Sequence, residues 1–247
     1  FPTVSFPNPE EPGALDLSVE LAQQMNADVI VANDPDADRL ALAVKNRSGD
    51  GYTPLTGNEV GALFASVVAQ KAKAASDEGI LGYSIVSSPI TKLIAQHTGL
   101  GATETPTGFK WISRLPGLLF GFEEALGYLV NPETVRDKDG LSAGLFALCV
   151  AAELKTAGKT LWDALDEVYE THGAFASGQV SLRFDSPEVA QALMVEVRKD
   201  PAALFSGIEM ESIQDYRTPP PGQPEADLVR FDLASGDRII MRPSGTE

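Results

Sequence analysis

Three aspartates at alternate positions, followed directly by an arginine, form the most reactive-looking stretch of the sequence, Asp34-Pro35-Asp36-Ala37-Asp38-Arg39. Carboxylates this close repel one another, and a bound cation relieves that repulsion. Their hard oxygen ligands suit Mg²⁺ or Ca²⁺. The stretch is not an EF-hand, because the sixth position counted from Asp34 is Arg39 rather than glycine and the twelfth is Lys45 rather than glutamate. A solvated acidic turn is the alternative.

Short apolar segments bracket these charges. Asp28–Ala32 and Leu40–Val44 both read as strands, and the polar residues 46–51 predict a hairpin after the second one. The acidic cluster is therefore expected in a tight loop at a strand end, which is where open α/β sheets place their ligands. Arg39 adds a forked donor beside the predicted metal, and that geometry suits a phosphate.

Two lysines lie in polar turns elsewhere in the sequence. Thr107-Gly108 opens a short predicted helix, and Lys110 falls in the first turn of that helix. A cation is electrostatically misplaced at a helix N-terminus, so we interpret Lys110 as held for a ligand, with an exposed lysine as the alternative. Lys138, within Arg136-Asp137-Lys138-Asp139-Gly140, is a candidate phosphate ligand. An exposed charged turn explains it equally well.

Paired carboxylates, Glu123 and Glu124, follow a predicted buried strand and lie between glycines. Ionised carboxylates at a strand end accept strong hydrogen bonds from sugar hydroxyls, and they could also act as acid or base. The alternative is a solvated turn.

The last strand of the sequence runs into Arg242-Pro243-Ser244-Gly245-Thr246-Glu247. An arginine, two hydroxyls and a glycine at a strand end form a candidate phosphate cradle, because glycine lets backbone N–H groups approach the anion. A Ser/Gly turn without a ligand is the alternative.

The bulk composition limits the possible functions. The chain has 247 residues, 43% of them hydrophobic, and a net charge of −16, which opposes nonspecific binding to nucleic acid or to anionic membranes. No apolar run is long enough to span a bilayer, and no signal-peptide pattern opens the sequence. Cys149 lies in an apolar run and is predicted to be a buried thiol, which fits a reducing compartment and a cytoplasmic location.

Hydrophobic periodicity predicts the elements that position these groups. Thr56 and Glu59 match a capping box at the start of a long helix, and the two histidines, His97 and His172, are interpreted as structural or surface groups near helix ends. The predicted helices are Gly13–Asn26 (apolar face Leu15, Val19, Leu21, Ala22 and Met25), Thr56–Ala75, Ile90–His97, Leu141–Leu154, Leu161–Glu170 and Pro187–Arg198. The further predicted strands are Ile80–Val86, Gly101–Glu104, Leu118–Phe122, Gln179–Phe184, Ile208–Ile213, Leu228–Leu233 and Arg238–Met241.

Four of these motifs, in this order, resemble those of the α-D-phosphohexomutases. They are Asp34–Arg39, Gly121–Gly127 (Gly-Phe-Glu-Glu-Ala-Leu-Gly), Lys138–Gly140 and Arg242–Glu247. The match is closest to the family's phosphoglucomutase branch, and Phe6-Pro7-Asn8-Pro9-Glu10 also looks like the family's approach to its metal loop. The resemblance implies an α/β fold, with mixed-sheet α/β/α domains followed by a smaller α+β domain.

The family has four domains, and the resemblance implies which of them this chain holds. Residues 1–50 would be the end of the second domain, residues 51–172 the third and residues 173–247 most of the fourth. The first domain, with its phosphorylated serine, would lie in the rest of the same protein, since no Thr-Ala-Ser-His-Asn-Pro-like loop occurs here.

The resemblance also implies roles for individual residues. Asp34, Asp36 and Asp38 would ligate Mg²⁺, and Arg39 and Lys138, with Lys110, would act at the transferring phosphoryl group. The sugar would contact Glu123 and Glu124 together with Thr107 and Gly108. Arg242, Ser244, Gly245 and Thr246 would bind the phosphate that is not transferred. Many relatives have serine two residues after the first glutamate; here it is Ala125, so that hydrogen bond is absent.

The implied reaction moves a phosphoryl group from serine to glucose 1-phosphate and back through glucose 1,6-bisphosphate, which serves as intermediate and activator. Such transfer needs charge neutralisation and positioning more than covalent help from the protein. Two alternatives stay open. One is a phosphopentomutase, and the other is a phosphosugar-binding fragment that is inert without the serine.

Overall fold

The computed structural model of the chain describes residue 4 and residues 7–180, 182, 184–205 and 207–243. The chain divides into two compact units, Phe1–Ser177 and Gly178–Glu247. The helices of the first unit are α1 (Asp16–Met25), α2 (Gly57–Ala75), α3 (Ile90–Thr98), α4 (Phe109–Ile112), α5 (Gly140–Thr156) and α6 (Leu161–His172). Its strands are β1 (Val29–Asn33), β2 (Leu40–Lys45), β3 (Tyr52–Pro54), β4 (Ile80–Ser84), β5 (Gly101–Thr105), β6 (Leu118–Glu123) and β7 (Gly127–Leu129).

Strands β1, β2 and β3 form an antiparallel sheet in that order, which confirms the predicted hairpin. Helix α1 packs on one face and α5 packs against β1 and β2. Helix α1 begins at Asp16, three residues later than predicted. Its predicted apolar face was wrong at two positions, because Leu21 and Met25 are 56% and 71% exposed, whereas Val19 and Ala22 pack on the sheet.

The second sheet of this unit has the order β5-β4-β6-β7 and is mixed. β4 is parallel to both β5 and β6, and β7 returns antiparallel to β6. Because side chains alternate along a strand, Leu81 and Tyr83 of β4 lie in one apolar cluster with α2 and α3, whereas Ile80 packs in a second cluster with α4. Helices therefore cover both faces of this sheet.

Helix α2 begins as the sequence predicted. The side chain of Thr56 accepts a hydrogen bond from the backbone N–H of Glu59, and the side chain of Glu59 accepts one from the backbone N–H of Thr56. This capping box satisfies N–H groups that the first turn of a helix otherwise leaves unpaired. The helix then runs through Ala75, which is the predicted end.

Helix α5 is apolar all round, and the prediction of a buried Cys149 was wrong because that thiol is exposed. Ala143, Ala147 and Val150 pack into the core, whereas Leu141 and Leu145 are exposed on the helix. With 3.6 residues per turn, a continuous apolar run covers every side of a helix, so apolarity alone does not predict burial.

Within the described residues no single helix has the length and apolarity to cross a bilayer. The bent pair α5 and α6 meets those criteria only when the two helices are taken together, by length and composition.

The second unit contains helices α7 (Pro187–Lys199) and α8 (Pro201–Leu204) and strands β8 (Met210–Asp215), β9 (Val229–Leu233) and β10 (Arg238–Met241). The strands form an antiparallel sheet in the order β10-β9-β8, and Met194 and Val197 of α7 pack against Val229 and Phe231. The predicted strand Gln179–Phe184 was wrong where the structure describes it, because residues 179, 180, 182 and 184 have no strand pairing. Alternating apolar residues form a strand only when a neighbouring strand pairs with them.

Candidate functional site

The acidic loop connects β1 to β2 through a tight turn. The backbone N–H of Ala37 donates to the carbonyl of Asp34 at 3.0 Å, and Ala37 has a left-handed φ of 58°. The turn brings one carboxylate oxygen from each of Asp34, Asp36 and Asp38 within 4.8 Å of one another. Asp34 is buried and Asp36 is exposed. Three convergent carboxylates are a donor set of the kind that holds a hard divalent cation.

Arg39 secures one end of this triad. Its side-chain Nε donates to Oδ2 of Asp34 at 2.6 Å, and its backbone N–H donates to Oδ1 at 3.0 Å. Burial raises the pKa of Asp34, but the hydrogen bonds from Arg39 outweigh that effect and leave the pKa below its ordinary value. Asp34 is therefore ionised at neutral pH, as a metal ligand must be.

The start of helix α5 packs directly on the acidic loop. The N–H of Gly140 donates to the carbonyl of Ala37 at 3.0 Å, and the side chain of Asn33 donates to the carbonyl of Arg39 at 2.7 Å. A Cβ atom at position 140 would lie 2.3 Å from the carbonyl oxygen of Arg39 and 2.3 Å from Nδ2 of Asn33. Only glycine permits this approach of backbone to backbone.

Lys138, two residues before Gly140, contributes a positive charge beside the three aspartates. Nζ of Lys138 lies 2.5 Å from Oδ2 of Asp38. Asp139, which lies between Lys138 and Gly140, caps α5 by accepting from the backbone N–H groups of Leu141 and Ser142. Lys138 is thus 28% exposed and paired with the acidic loop, and its role as a phosphate ligand stays a prediction.

The loop with the paired glutamates is hydrogen-bonded to the acidic loop through the backbone. The N–H of Leu40 donates to the carbonyl of Leu126 at 3.0 Å, and Arg39 forms an isolated antiparallel bridge with Gly127. Residues more than 80 positions apart in the sequence are therefore hydrogen-bonded neighbours. The two predicted motifs lie next to each other.

Each glutamate of that loop holds a further segment. Glu123 accepts from the backbone N–H of Gly108 at 2.7 Å, which places the Thr107-Gly108 turn beside the loop with the paired glutamates. Glu124 accepts from the hydroxyls of Ser84 and Ser87 at 3.0 and 2.9 Å.

Sequence reasoning missed both serines, although their position at the end of β4, which is parallel to β6, was a usable signal. The carboxyl ends of parallel strands meet at one edge of a sheet.

Lys110 does not join the acidic loop through any contact of the described residues. Its Nζ lies 5.1 Å from the centroid of the Trp111 ring, and it lines a cavity of about 470 Å³ with Ser113, Arg114, Arg136 and Asp137. The basic residues of this cavity were not singled out from the sequence. Arg114 comes from the segment after α4, and Arg136 lies two residues before Lys138.

The predicted phosphate cradle belongs to the second unit. Arg242 is exposed just after β10. Ser244, Gly245 and Thr246, predicted to form the rest of the cradle, lie outside the described residues.

Two sequence-family models match the chain. The family described as phosphoglucomutase/phosphomannomutase, alpha/beta/alpha domain II, matches residues 1–49, and domain III of the same family matches residues 56–172. The contact between Asp38 and Lys138 therefore joins the two matched domains.

Curated relatives cover the whole chain. A protein named probable phosphomannomutase from Haemophilus influenzae is 46% identical over 247 residues, which are 100% of this chain and 50% of the relative. A phosphoglucomutase from Staphylococcus aureus is 33% identical over 268 aligned residues, which cover 100% of this chain and 48% of that protein. The chain thus spans about half the length of the curated relatives it matches.

A solved structure shares the fold. The phosphoglucomutase pp63/parafusin from Paramecium, in its open form, matches with a TM-score of 0.68 and 25% identity, covering 98% of this chain and 43% of that one. The similarity extends over both units of the chain.

Proposed function

We propose that this chain, which belongs to the phosphoglucomutase/phosphomannomutase family, carries the metal loop and the sugar loop of an enzyme that interconverts glucose 1-phosphate and glucose 6-phosphate. The observation that carries the proposal is the convergence of Asp34, Asp36 and Asp38 beside the loop that contains Glu123. Family membership supports the reaction class, and the contacts of this chain support the roles assigned to its residues below.

The three aspartates fit a divalent cation, and we assign them to Mg²⁺. Their donor atoms are all carboxylate oxygens, and Mg²⁺ prefers oxygen ligands and completes its shell with water or substrate phosphate. Bound there, the ion would neutralise charge on the phosphoryl group in transit.

Arg39 and Lys138 act at the edges of this site. Each is held by one aspartate of the triad, so each presents its positive charge where a phosphoryl group would meet the metal loop. Hydrogen-bond donors fixed before the reaction stabilise developing charge without paying for reorganisation.

The sugar is assigned to Glu123, with Glu124 and the Thr107-Gly108 turn beside it. Glu123 already accepts one hydrogen bond from Gly108, and an ionised carboxylate has further lone pairs for sugar hydroxyls. The phosphate that is not transferred is assigned to Arg242, Ser244, Gly245 and Thr246. Lys110 stands apart from the metal loop and is assigned a role toward substrate phosphate.

A phosphoserine in the remaining part of the protein is the proposed phosphoryl donor. The serine oxygen–phosphorus bond breaks as the 6-hydroxyl oxygen of glucose 1-phosphate bonds to phosphorus and loses its proton, giving glucose 1,6-bisphosphate. After the sugar turns round, the 1-phosphoryl group returns to serine and glucose 6-phosphate leaves. In this scheme, the phosphoserine lies in the part of the protein that corresponds to the half of the relatives not matched by this chain.

The test is an assay of the protein that carries this chain with glucose 1-phosphate, Mg²⁺ and glucose 1,6-bisphosphate. Asp36→Asn should reduce turnover at least about 100-fold, because it removes one ligand of the catalytic metal. Asp77→Asn, at an exposed position in the turn after α2, is the matched control and should leave turnover unchanged. Full activity in the Asp36 variant would contradict the proposal.

Mannose phosphates are the second candidate substrate, because the 46% identical relative is named a phosphomannomutase. A panel of glucose, mannose and ribose 1-phosphates separates the hexomutase reading from a phosphopentomutase. The chain alone should be inactive toward all three while still binding phosphosugar.

A further inference from the structure

Three exposed cations line the open cavity described above, and none of them has an acidic partner among the described residues. Lys110, Arg114 and Arg136 all line it, and among the described residues no carboxylate lies within the 4.0 Å ion-pair distance of any of them. Nζ of Lys110 lies 5.1 Å from the centroid of the Trp111 ring, and Arg136 donates one long hydrogen bond of 3.4 Å to the carbonyl of Ser113.

Arg114 and Arg136 differ in this respect from the other arginines of the first unit. The sequence contains 35 acidic and 19 basic residues, so acidic partners are abundant. The other two arginines of the first unit, Arg39 and Arg47, both form ion pairs at 2.6–2.7 Å. Arg114 and Arg136 instead face a shared cavity, where three like charges repel one another unless an anion is bound between them.

The remaining polar groups of the cavity leave room for an anion. Asp137, the carboxylate of the lining, accepts from the backbone N–H of Lys138 at 2.8 Å rather than from a neighbouring arginine. The cavity volume of about 470 Å³ falls in the range of small-molecule sites. Two guanidinium groups and an ammonium group match the geometry and charge of a phosphate dianion better than those of a carboxylate.

Two of the residues that line the cavity are close in sequence to residues of the proposed catalytic surface. Lys110 follows two residues after Gly108, whose N–H is bonded to Glu123 at 2.7 Å. Asp137 directly precedes Lys138, whose Nζ contacts Asp38 at 2.5 Å.

We propose that Arg114 and Arg136, with Lys110, form a binding site for the phosphate group of a phosphate monoester, in the first unit and apart from the metal loop. The inference deepens the proposed function and rests on it only for the identity of the monoester as a phosphosugar. The site accounts for two arginines that the metal, sugar and cradle motifs leave without a role.

The test is phosphate binding to the whole chain, measured by calorimetry in EDTA so that no divalent metal contributes. The double variant R114Q/R136Q should weaken the affinity for inorganic phosphate at least tenfold. K73Q/K92Q is the control with the same loss of charge: both lysines are exposed, on helices α2 and α3, which pack on the sheet face opposite α4. The control should stay within twofold of the wild type. Equal affinity in R114Q/R136Q, or an equal loss in the control, overturns the inference.

Backbone amide shifts provide a readout that does not depend on variant folding. Phosphate should shift the amides of residues 110–114 and 136–137 in the unmodified chain, and the absence of shifts there overturns the inference. Glucose 6-phosphate separates the two sources of the phosphate. If glucose 6-phosphate binds more tightly than inorganic phosphate, and Glu123→Gln removes that difference, the site is assigned to the substrate's own phosphate. Equal binding of both supports the site and assigns it to a separate phosphate-bearing ligand.

These results are distinguishable from a failure of the proposed function. If phosphate binding depends on the arginines while Asp36→Asn leaves turnover intact, the site stands and the metal-dependent mutase assignment fails. If turnover depends on Asp36 but phosphate binding does not depend on Arg114 and Arg136, the mutase assignment stands and the phosphate site fails.

Discussion

Lys138 and Asp38 are 100 residues apart in the sequence, and Nζ of the lysine lies 2.5 Å from Oδ2 of the aspartate. The lysine comes from the residues that match domain III of the family and the aspartate from those that match domain II. Both side chains are about 30% exposed, at 28% and 31%, so this ion pair lies at the mouth of the site rather than in the core. It places a positive charge against a proposed metal ligand.

Removing that charge has opposite consequences for metal binding and for catalysis. Lys138→Gln should tighten Mg²⁺ binding by about 3- to 10-fold, because Asp38 loses its competing partner and the ion no longer meets a nearby cation. Turnover should fall at the same time, because the lysine would no longer stabilise the phosphoryl group. Calorimetry and the mutase assay measure the two effects. Lys155→Gln, which breaks an exposed pair with Asp28, is the control. Weaker Mg²⁺ binding in the Lys138 variant would contradict the assigned role.

Gly140→Ala should distort the acidic loop and weaken its binding of Mg²⁺. The added Cβ would lie 2.3 Å from the carbonyl oxygen of Arg39, and relieving such a clash with backbone typically costs about 1–3 kcal/mol. Chemical denaturation and Mg²⁺ titration should both detect the change.

Gly144→Ala, one turn later in α5, is the matched control. Its Cβ would approach the end of the Val31 side chain at 3.2 Å, which can move aside. If both variants keep full stability and Mg²⁺ affinity, the close packing of α5 on the loop is not what positions the metal ligands.

The pKa of His172 should be lower than that of an ordinary histidine. Burial disfavours its charged form, and the nearby His97 adds repulsion; the two rings pack edge to face with centroids 5.3 Å apart. A base with a depressed pKa binds fewer protons in the folded chain than in the unfolded one, so stability should fall as the pH drops below about 6.5.

His172→Gln should flatten that decrease, as measured by denaturation at a series of pH values. His97→Gln should raise the pKa of His172 in an NMR titration, because it removes the repelling neighbour. Titration of His172 at or above its ordinary pKa in the unmodified chain would show that the packing does not disfavour its charge.

Glu123→Gln should weaken phosphosugar binding by about tenfold, since a neutral amide accepts a weaker hydrogen bond than a carboxylate. The amide oxygen can still accept from the N–H of Gly108, so the Thr107-Gly108 turn should keep its place. Glu133→Gln, at an exposed acid in the loop after β7, serves as the control. Calorimetry with glucose 6-phosphate gives the comparison, and unchanged affinity would remove Glu123 from the sugar site.

The parts of the site that sequence predicts well are local. The acidic loop is six consecutive residues between two strands, and its carboxylates converge because the turn is short. The capping box at Thr56 is equally local. Spacing along the chain and turn chemistry are sufficient for such features.

The parts that sequence did not predict depend on which elements pack together. The hydrogen bonds from Ser84 and Ser87 to Glu124 require β4 and β6 to be neighbours. The requirement for glycine at position 140 appears only when α5 meets the loop. The exposure of Cys149 likewise reflects the side of α5 on which it lies. None of these contacts follows from periodicity in one segment.

Titration of Mg²⁺ into this chain by calorimetry tests the central claim most directly, because the three proposed protein ligands all lie in residues 34–38. The account predicts one Mg²⁺ site in the unmodified chain, with affinity at least about tenfold weaker in Asp36→Asn and unchanged in Asp77→Asn. Absence of Mg²⁺ binding at millimolar concentration, or equal binding by the Asp36 variant, would contradict it.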